Sequence, residues 1–413
     1  MSPSGPALSR RRFLGLGLTA AALPAVASPG LASPLAAPGT TARPRLRDLG
    51  IVIGDLPTGA ANAITDVPGV RVGHVTLIQG HGPLVVGRGP VRTGVTAVLP
   101  RPELPWRRPV FAADLTINGN GELTGLGPVR RTGVLAAPVL LTDTGSVGRA
   151  YDGAVGWSLG QDPAAFEAPF RPDPVVGETW AGFLHDTAGG HLGAGHVARA
   201  LDGASGGPVA EGSVGGGTGM RAFQFKAGIG TASRRIAVGS DGGEYTVGLL
   251  VQANFGRRPQ LRVKGVPVGR LLPDRLPERA ALPEAPGGSP GNSLLMVVAT
   301  DAPLIPVQLR RLCKRALVGM ARTGGISTHG SGDLVIAFST GNDPASAAGP
   351  LQVLHYSHMS RLFAGVVEAA EEAVLNSLTA AGTMVGRDGH TIHGLPLEEF
   401  VEVMERYGEA GGE

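Results

Sequence analysis

The chain has 413 residues, 42% of them hydrophobic and 17% charged, enough apolar side chain for a large buried core and therefore no disordered tail. A net charge of +3, with no basic stripe interleaved with aromatics, argues against nucleic acid as a partner. The 66 glycines, against a usual share of about 7%, imply many tight turns and close backbone approaches.

Ser9-Arg10-Arg11-Arg12-Phe13-Leu14, followed by an apolar stretch to Ala27, has the form of a twin-arginine export signal. That stretch is shorter than the roughly 20 residues of a membrane span, so no stable membrane anchor is expected. Ala25-Val26-Ala27 or Leu35-Ala36-Ala37 offers a small-x-small cleavage site. Residues 1–44 read as signal peptide and leader of a periplasmic or secreted protein. The single cysteine, Cys313, fits a protein exported already folded, with no need of a disulfide. It lies at helical spacing with Leu309, Leu312 and Leu317 and reads as packed core.

The folded part opens at Ile51-Val52-Ile53-Gly54. Val70 to Val75, Gly94 to Leu99 and Ala137 to Thr142 read as strands between glycines. Helices are expected from about Gly145 to Trp157 and over His196 to Leu201, the latter ended by Gly203. Ile236 to Val238 and Thr246 to Asn254 read as adjacent strands joined by Gly242-Gly243. Residues 271–292 hold five prolines and three glycines, the composition of a flexible linker. Leu294 to Thr300 is a core strand, and Asp301-Ala302-Pro303 suits a helix start. Leu334 to Ser339 is the next strand, and 358–381 is a long helix closing at Gly382. Strands grouped with helices outside them predict an α/β (α+β) four-layer αββα sandwich.

Ser293 stands where the linker meets the buried strand. Cleavage of the Asn292–Ser293 bond would free an α-amino group beside the Ser293 hydroxyl. Such a group has a pKa of about 7.7–8, so one residue could supply both nucleophile and general base. Residues 45–292 would become an α-chain and 293–413 a β-chain of one catalytic domain. Gly330-Ser331-Gly332-Asp333 offers a hydroxyl and a carboxylate to orient the new ammonium. Asn254, at a strand end, offers an amide donor for an oxyanion. Glu122 and Glu178 could hold a substrate's amino group, with Trp180 as a pocket wall. Gly215 to Met220 lacks the Lys-Ser/Thr of a phosphate loop, and His185, His191 and His196 lack zinc-ligand spacing. Neither a metal nor any other cofactor is expected.

Taken in order, these blocks resemble the L-aminopeptidase/D-esterase and β-peptidyl aminopeptidase family. Asp66 to His74, Asn118 to Glu122, Glu178-Thr179-Trp180, Gly215 to Met220, Lys226 to Arg234, Gln252 to Gly256, Gly291-Asn292-Ser293, Ala299 to Leu304 and Gly330 to Asp333 carry the likeness. The resemblance implies a self-processing N-terminal-nucleophile-like hydrolase with different connectivity, Ser293 as nucleophile and Asn254 in the oxyanion hole. It further implies that Ser331 and Asp333 orient Ser293, that Glu178 binds the amino terminus of a short peptide or amide, and that processed αβ protomers form a homo-oligomer. Arg131-Thr132-Gly133, where the family often has Glu-Trp-Gly, and His329 before Gly330 depart from the pattern and bear on pocket preference. An ornithine-acetyltransferase-like amine acyltransferase is the rival enzyme, although those use threonine; a non-catalytic exported binding protein is the other alternative.

Overall fold

A computed structural model describes residues 43–238, 243–278, 292–345 and 350–411; the twin-arginine segment and most of the predicted linker lie outside them. Among the described residues no helix is long and apolar enough to cross a membrane. The strands are β1 (Arg71–Gln79), β2 (Val91–Leu99), β3 (Val110–Gly119), β4 (Val134–Leu135), β5 (Val139–Asp143), β6 (Val175–Thr179), β7 (Arg221–Ala222), β8 (Phe225–Lys226), β9 (Ile229–Val238), β10 (Gly243–Asn254), β11 (Asn292–Thr300), β12 (Ser331–Ser339), β13 (Met384–Val385) and β14 (Thr391–Ile392). The helices are α1 (Leu126–Thr132), α2 (Val147–Gln161), α3 (Ala194–Asp202), α4 (Val268–Leu271), α5 (Pro306–Arg322), α6 (Met359–Thr379) and α7 (Leu397–Arg406).

One sheet runs β1-β2-β5-β6 and the other β4-β3-β12-β11-β10-β9. Pairing is antiparallel except between β5 and β6 and between β11 and β12. Helices α2 and α3 cover the first sheet, and α5 and α6 cover the second. The predicted αββα sandwich is the observed architecture.

The alternation along β11 shows why. Leu294, Met296 and Val298 join the core under α5 and α6, whereas Leu295, Val297 and Ala299 join the core between the sheets. A strand's side chains alternate across its two faces, so a strand covered on both faces must be apolar throughout. The same rule puts Ser293 on the inter-sheet face with Leu295. Cys313 is buried in the helix-side core, and burial raises its thiol pKa, which fits packing.

Two expectations need correction. Helix α5 starts at Pro306, not at Asp301, with Gln308 Oε1 accepting from the Ile305 N–H at 3.2 Å. The Asp301 carboxylate is instead taken by the Thr246 amide at 2.7 Å, across the end of the neighbouring strand. Residues 271–278 of the expected linker are instead tied into the fold. Leu271 ends α4, Arg258 Nη1 holds the Leu272 carbonyl at 3.0 Å, and Glu278 bridges to Thr391.

Candidate active site

Ser293 is the second residue of β11, paired with Asn254 of β10 on one side and Gly332 of β12 on the other. Its hydroxyl is buried and donates to the Asn292 carbonyl at 2.6 Å. The Gly332 amide donates to the same Oγ at 3.3 Å. The hydroxyl therefore lies against the peptide group that precedes it, held by a backbone donor.

Ser331 and Asp333 flank Gly332 and open β12, so the strand starts before the expected Leu334. Asp333 accepts from Ser331 Oγ at 2.9 Å and from Ser327 Oγ. Burial raises its pKa, with the two hydroxyls and the Leu294 amide acting in the other direction. The Leu294 amide thus joins the Asp333 carboxylate to the start of β11, beside the backbone pairing of the two strands. The 328–331 segment is braced by asparagines of the β3 end. Asn118 Nδ2 donates to the Thr328, His329 and Ser331 carbonyls at 2.8, 3.0 and 2.6 Å, and Asn120 Nδ2 donates to Gly330 O at 2.8 Å.

The Asn254 amide is oriented at both ends. Its Oδ1 accepts from the Arg221 N–H at 3.1 Å, and its Nδ2 donates to Trp180 O at 3.1 Å. A backbone N–H can only donate, so the Arg221 contact fixes Nδ2 as the donor end.

Glu178 comes from the other sheet, at the end of β6. It is 6% exposed; burial raises its pKa, opposed by the Thr144 hydroxyl and the Glu122 amide. Oε1 accepts from the Glu122 N–H at 3.2 Å, and Oε2 accepts from Thr144 Oγ1. Glu122 thus enters the site by its main chain, while its side chain is exposed and its charge acts on Glu178. Trp180 contributes its carbonyl to Asn254, and its ring packs against Gly182 and the small cluster of Phe183, Leu184 and Ile392.

Gly121 shows that the two sheets' contributions meet. A methyl group placed there would lie 3.2 Å from Glu178 Oε1 and 3.7 Å from Ser293 Oγ. Carboxylate and hydroxyl therefore face one small space. Gln252 ties the sheets together nearby, donating to Thr142 O and Thr179 Oγ1, both at 2.8 Å. The glycines of 215–220 serve close packing, as a Cβ at Gly216 would meet Gln252 Oε1 at 2.1 Å and one at Gly217 the Ile229 nitrogen at 2.4 Å. No metal-binding group occurs among the described residues.

The model of peptidase family S58 matches residues 62–392. The chain belongs to that family. A β-peptidyl aminopeptidase of Sphingosinicella microcystinivorans is 45% identical over 384 residues, covering 90% of this chain and 95% of the relative. The structure is similar to a Burkholderia sp. β-aminopeptidase (43% identity, TM-score 0.77, 89% of this chain and 99% of the other). It is also similar to the L-aminopeptidase D-Ala-esterase/amidase of Ochrobactrum anthropi (37% identity, TM-score 0.80, 89% and 100%), described as a variant of the Ntn-hydrolase fold. As a member of S58 the chain is an aminopeptidase.

Sequence reasoning had no hold on Gly332 as a donor, on Thr144 or on Ser327. A backbone N–H or an isolated hydroxyl leaves no pattern in one dimension, although Thr144 follows an Asp143 that caps the turn at 144–146 by accepting from the Gly145 amide.

Proposed function

We propose that this family member is an exported, self-processing serine aminopeptidase that acts through an acyl-enzyme on Ser293. The observation that carries the reading is the Ser293 hydroxyl 2.6 Å from the Asn292 carbonyl oxygen while facing the same space as the Glu178 carboxylate. In the first reaction Oγ attacks the Asn292 carbonyl carbon, the C–N bond breaks, and the departing nitrogen takes up a proton as the Ser293 α-amino group. Water hydrolyses the resulting ester and leaves an Asn292 carboxylate.

In turnover the freed amine, with a pKa of about 7.7–8 in models, accepts the Oγ proton as the hydroxyl attacks the substrate carbonyl. Asn254 Nδ2 donates to the oxyanion, and Ser331 and Asp333 orient the terminal ammonium. Glu178 binds the substrate's own ammonium, fixing the scissile carbonyl one residue in from the amino end. The leaving amine takes its proton from the α-ammonium, and water releases the acyl group.

The named relatives make β-aminoacyl substrates the first to assay, beside α-L and D-aminoacyl amides. Hydrolysis of such amides, lost when the substrate's amino group is acetylated, is the expected result. Equal turnover of the acetylated compounds would contradict the aminopeptidase role of Glu178. Export rests on Arg10 to Ala27. Replacing Arg10, Arg11 and Arg12 with Lys should retain the protein in the cytoplasm, and unchanged fractionation would refute that route.

A further inference from the structure

Lys226 is fully buried and has no carboxylate partner among the described residues, an unusual position for an ammonium. Its Nζ donates to Met220 O at 2.8 Å, Ala227 O at 2.6 Å and Gly217 O at 3.5 Å. Three carbonyls match the three N–H bonds of an ammonium. Burial pulls its pKa down to about 7, and the carbonyls work against that by accepting from the charged form.

The Met220 carbonyl and the Arg221 N–H belong to one peptide unit. On its oxygen side that unit is held by Lys226, and on its nitrogen side it holds Asn254 Oδ1 at 3.1 Å. Lys226 and Arg221 face each other across the β7–β8 hairpin. Its two-residue turn has φ of 50° at Phe223 and 62° at Gln224, left-handed backbone that such residues adopt at a cost. Such strain persists where the surroundings over-determine it. Here Phe223 is buried against Phe255, with ring centres 5.0 Å apart, and Gln224 O and Oε1 accept from Arg258.

We infer that Lys226 is a positioning residue for the oxyanion donor, holding the Met220–Arg221 peptide so that Asn254 presents Nδ2 beside Ser293. The inference rests on the proposed role of Asn254. Burying a lysine only to fill space would be poorly explained, since an apolar side chain would do so without desolvating a charge.

The test is a double-mutant cycle with Lys226→Met and Asn254→Ala, with rates normalised to the amount of chain beginning at Ser293. Lys226→Met alone should lower kcat roughly 10- to 100-fold with KM changed by less than about twofold. In the Asn254→Ala background the same change should cost less than about threefold, because interacting residues are non-additive. Losses that multiply, or a loss confined to KM, would overturn the inference while leaving Asn254 in place. An Asn254→Ala enzyme with wild-type kcat would instead sink the Asn254 reading itself. Should Lys226→Met fail to fold, Arg221→Pro removes the N–H from the other side of the same peptide and leaves Lys226 paired. It should give the same kcat loss, non-additive with Asn254→Ala, and an additive loss counts against the proposal.

Discussion

The two sheets contribute different chemistry to one space. The six-stranded sheet brings Ser293, Asn254, Ser331 and Asp333 from the ends of three adjacent strands, β10, β11 and β12. The four-stranded sheet and the turn after β5 bring Glu178 and Thr144. Strand pairing sets spacing in the first group to within a register step, which suits bond making. The second group sits across the sandwich and reaches the site by side-chain length, which suits recognition. Proposed reaction and proposed selection are therefore separable by mutation.

The largest effect should come from the strand-borne group. Ser293→Ala removes the only proposed attacking oxygen, so both self-cleavage and hydrolysis should vanish, as read by denaturing electrophoresis and an amide assay; retained hydrolysis would break the comparison at its root. Asn254→Ala should cost about 2.7–4 kcal/mol in transition-state stabilisation, seen mainly in kcat.

Glu178→Gln should cost less, about 1.5–3 kcal/mol in kcat/KM as a charged hydrogen bond is lost, with the loss in KM and self-cleavage intact. A loss of self-cleavage as well would show that the sheets' roles are not separate. The same variant sharpens the comparison through pH. Burial raises the Glu178 pKa above its ordinary 4.5, and both this carboxylate and the α-amine must be deprotonated to act. As pH falls, log kcat/KM should decline with a slope of one and then steepen toward two through the Glu178 ionisation. In Glu178→Gln the slope should stay at one; an unchanged steep limb would exclude Glu178 as its source.

What the sequence disclosed follows the same division. Continuous apolar runs betrayed β11 and β12 because strands covered on both faces have no polar side, and a linker-like composition ending before Ser293 suggested the proposed cleavage point. Glu178, Asn254 and Asp333 were legible as residue types that the proposed chemistry can use. The main-chain part of Glu122 left no sign in the sequence, because a turn delivers its N–H to Glu178 while its carboxylate stays exposed. The start of α5 was misplaced because Asp301 is satisfied across the sheet by Thr246, a partner 55 positions away. Lys226 gave no sign of its place, since a lysine ordinarily reads as solvated surface and only the folded hairpin surrounds it with carbonyls.

The central claim is that Ser293 begins inside the chain and acts as a chain end. Intact-mass and N-terminal analysis of active, purified enzyme tests it most directly. The expected result is two polypeptides, one of them starting at Ser293, in proportion to activity; full activity from a backbone continuous through Asn292 and Ser293 would contradict it.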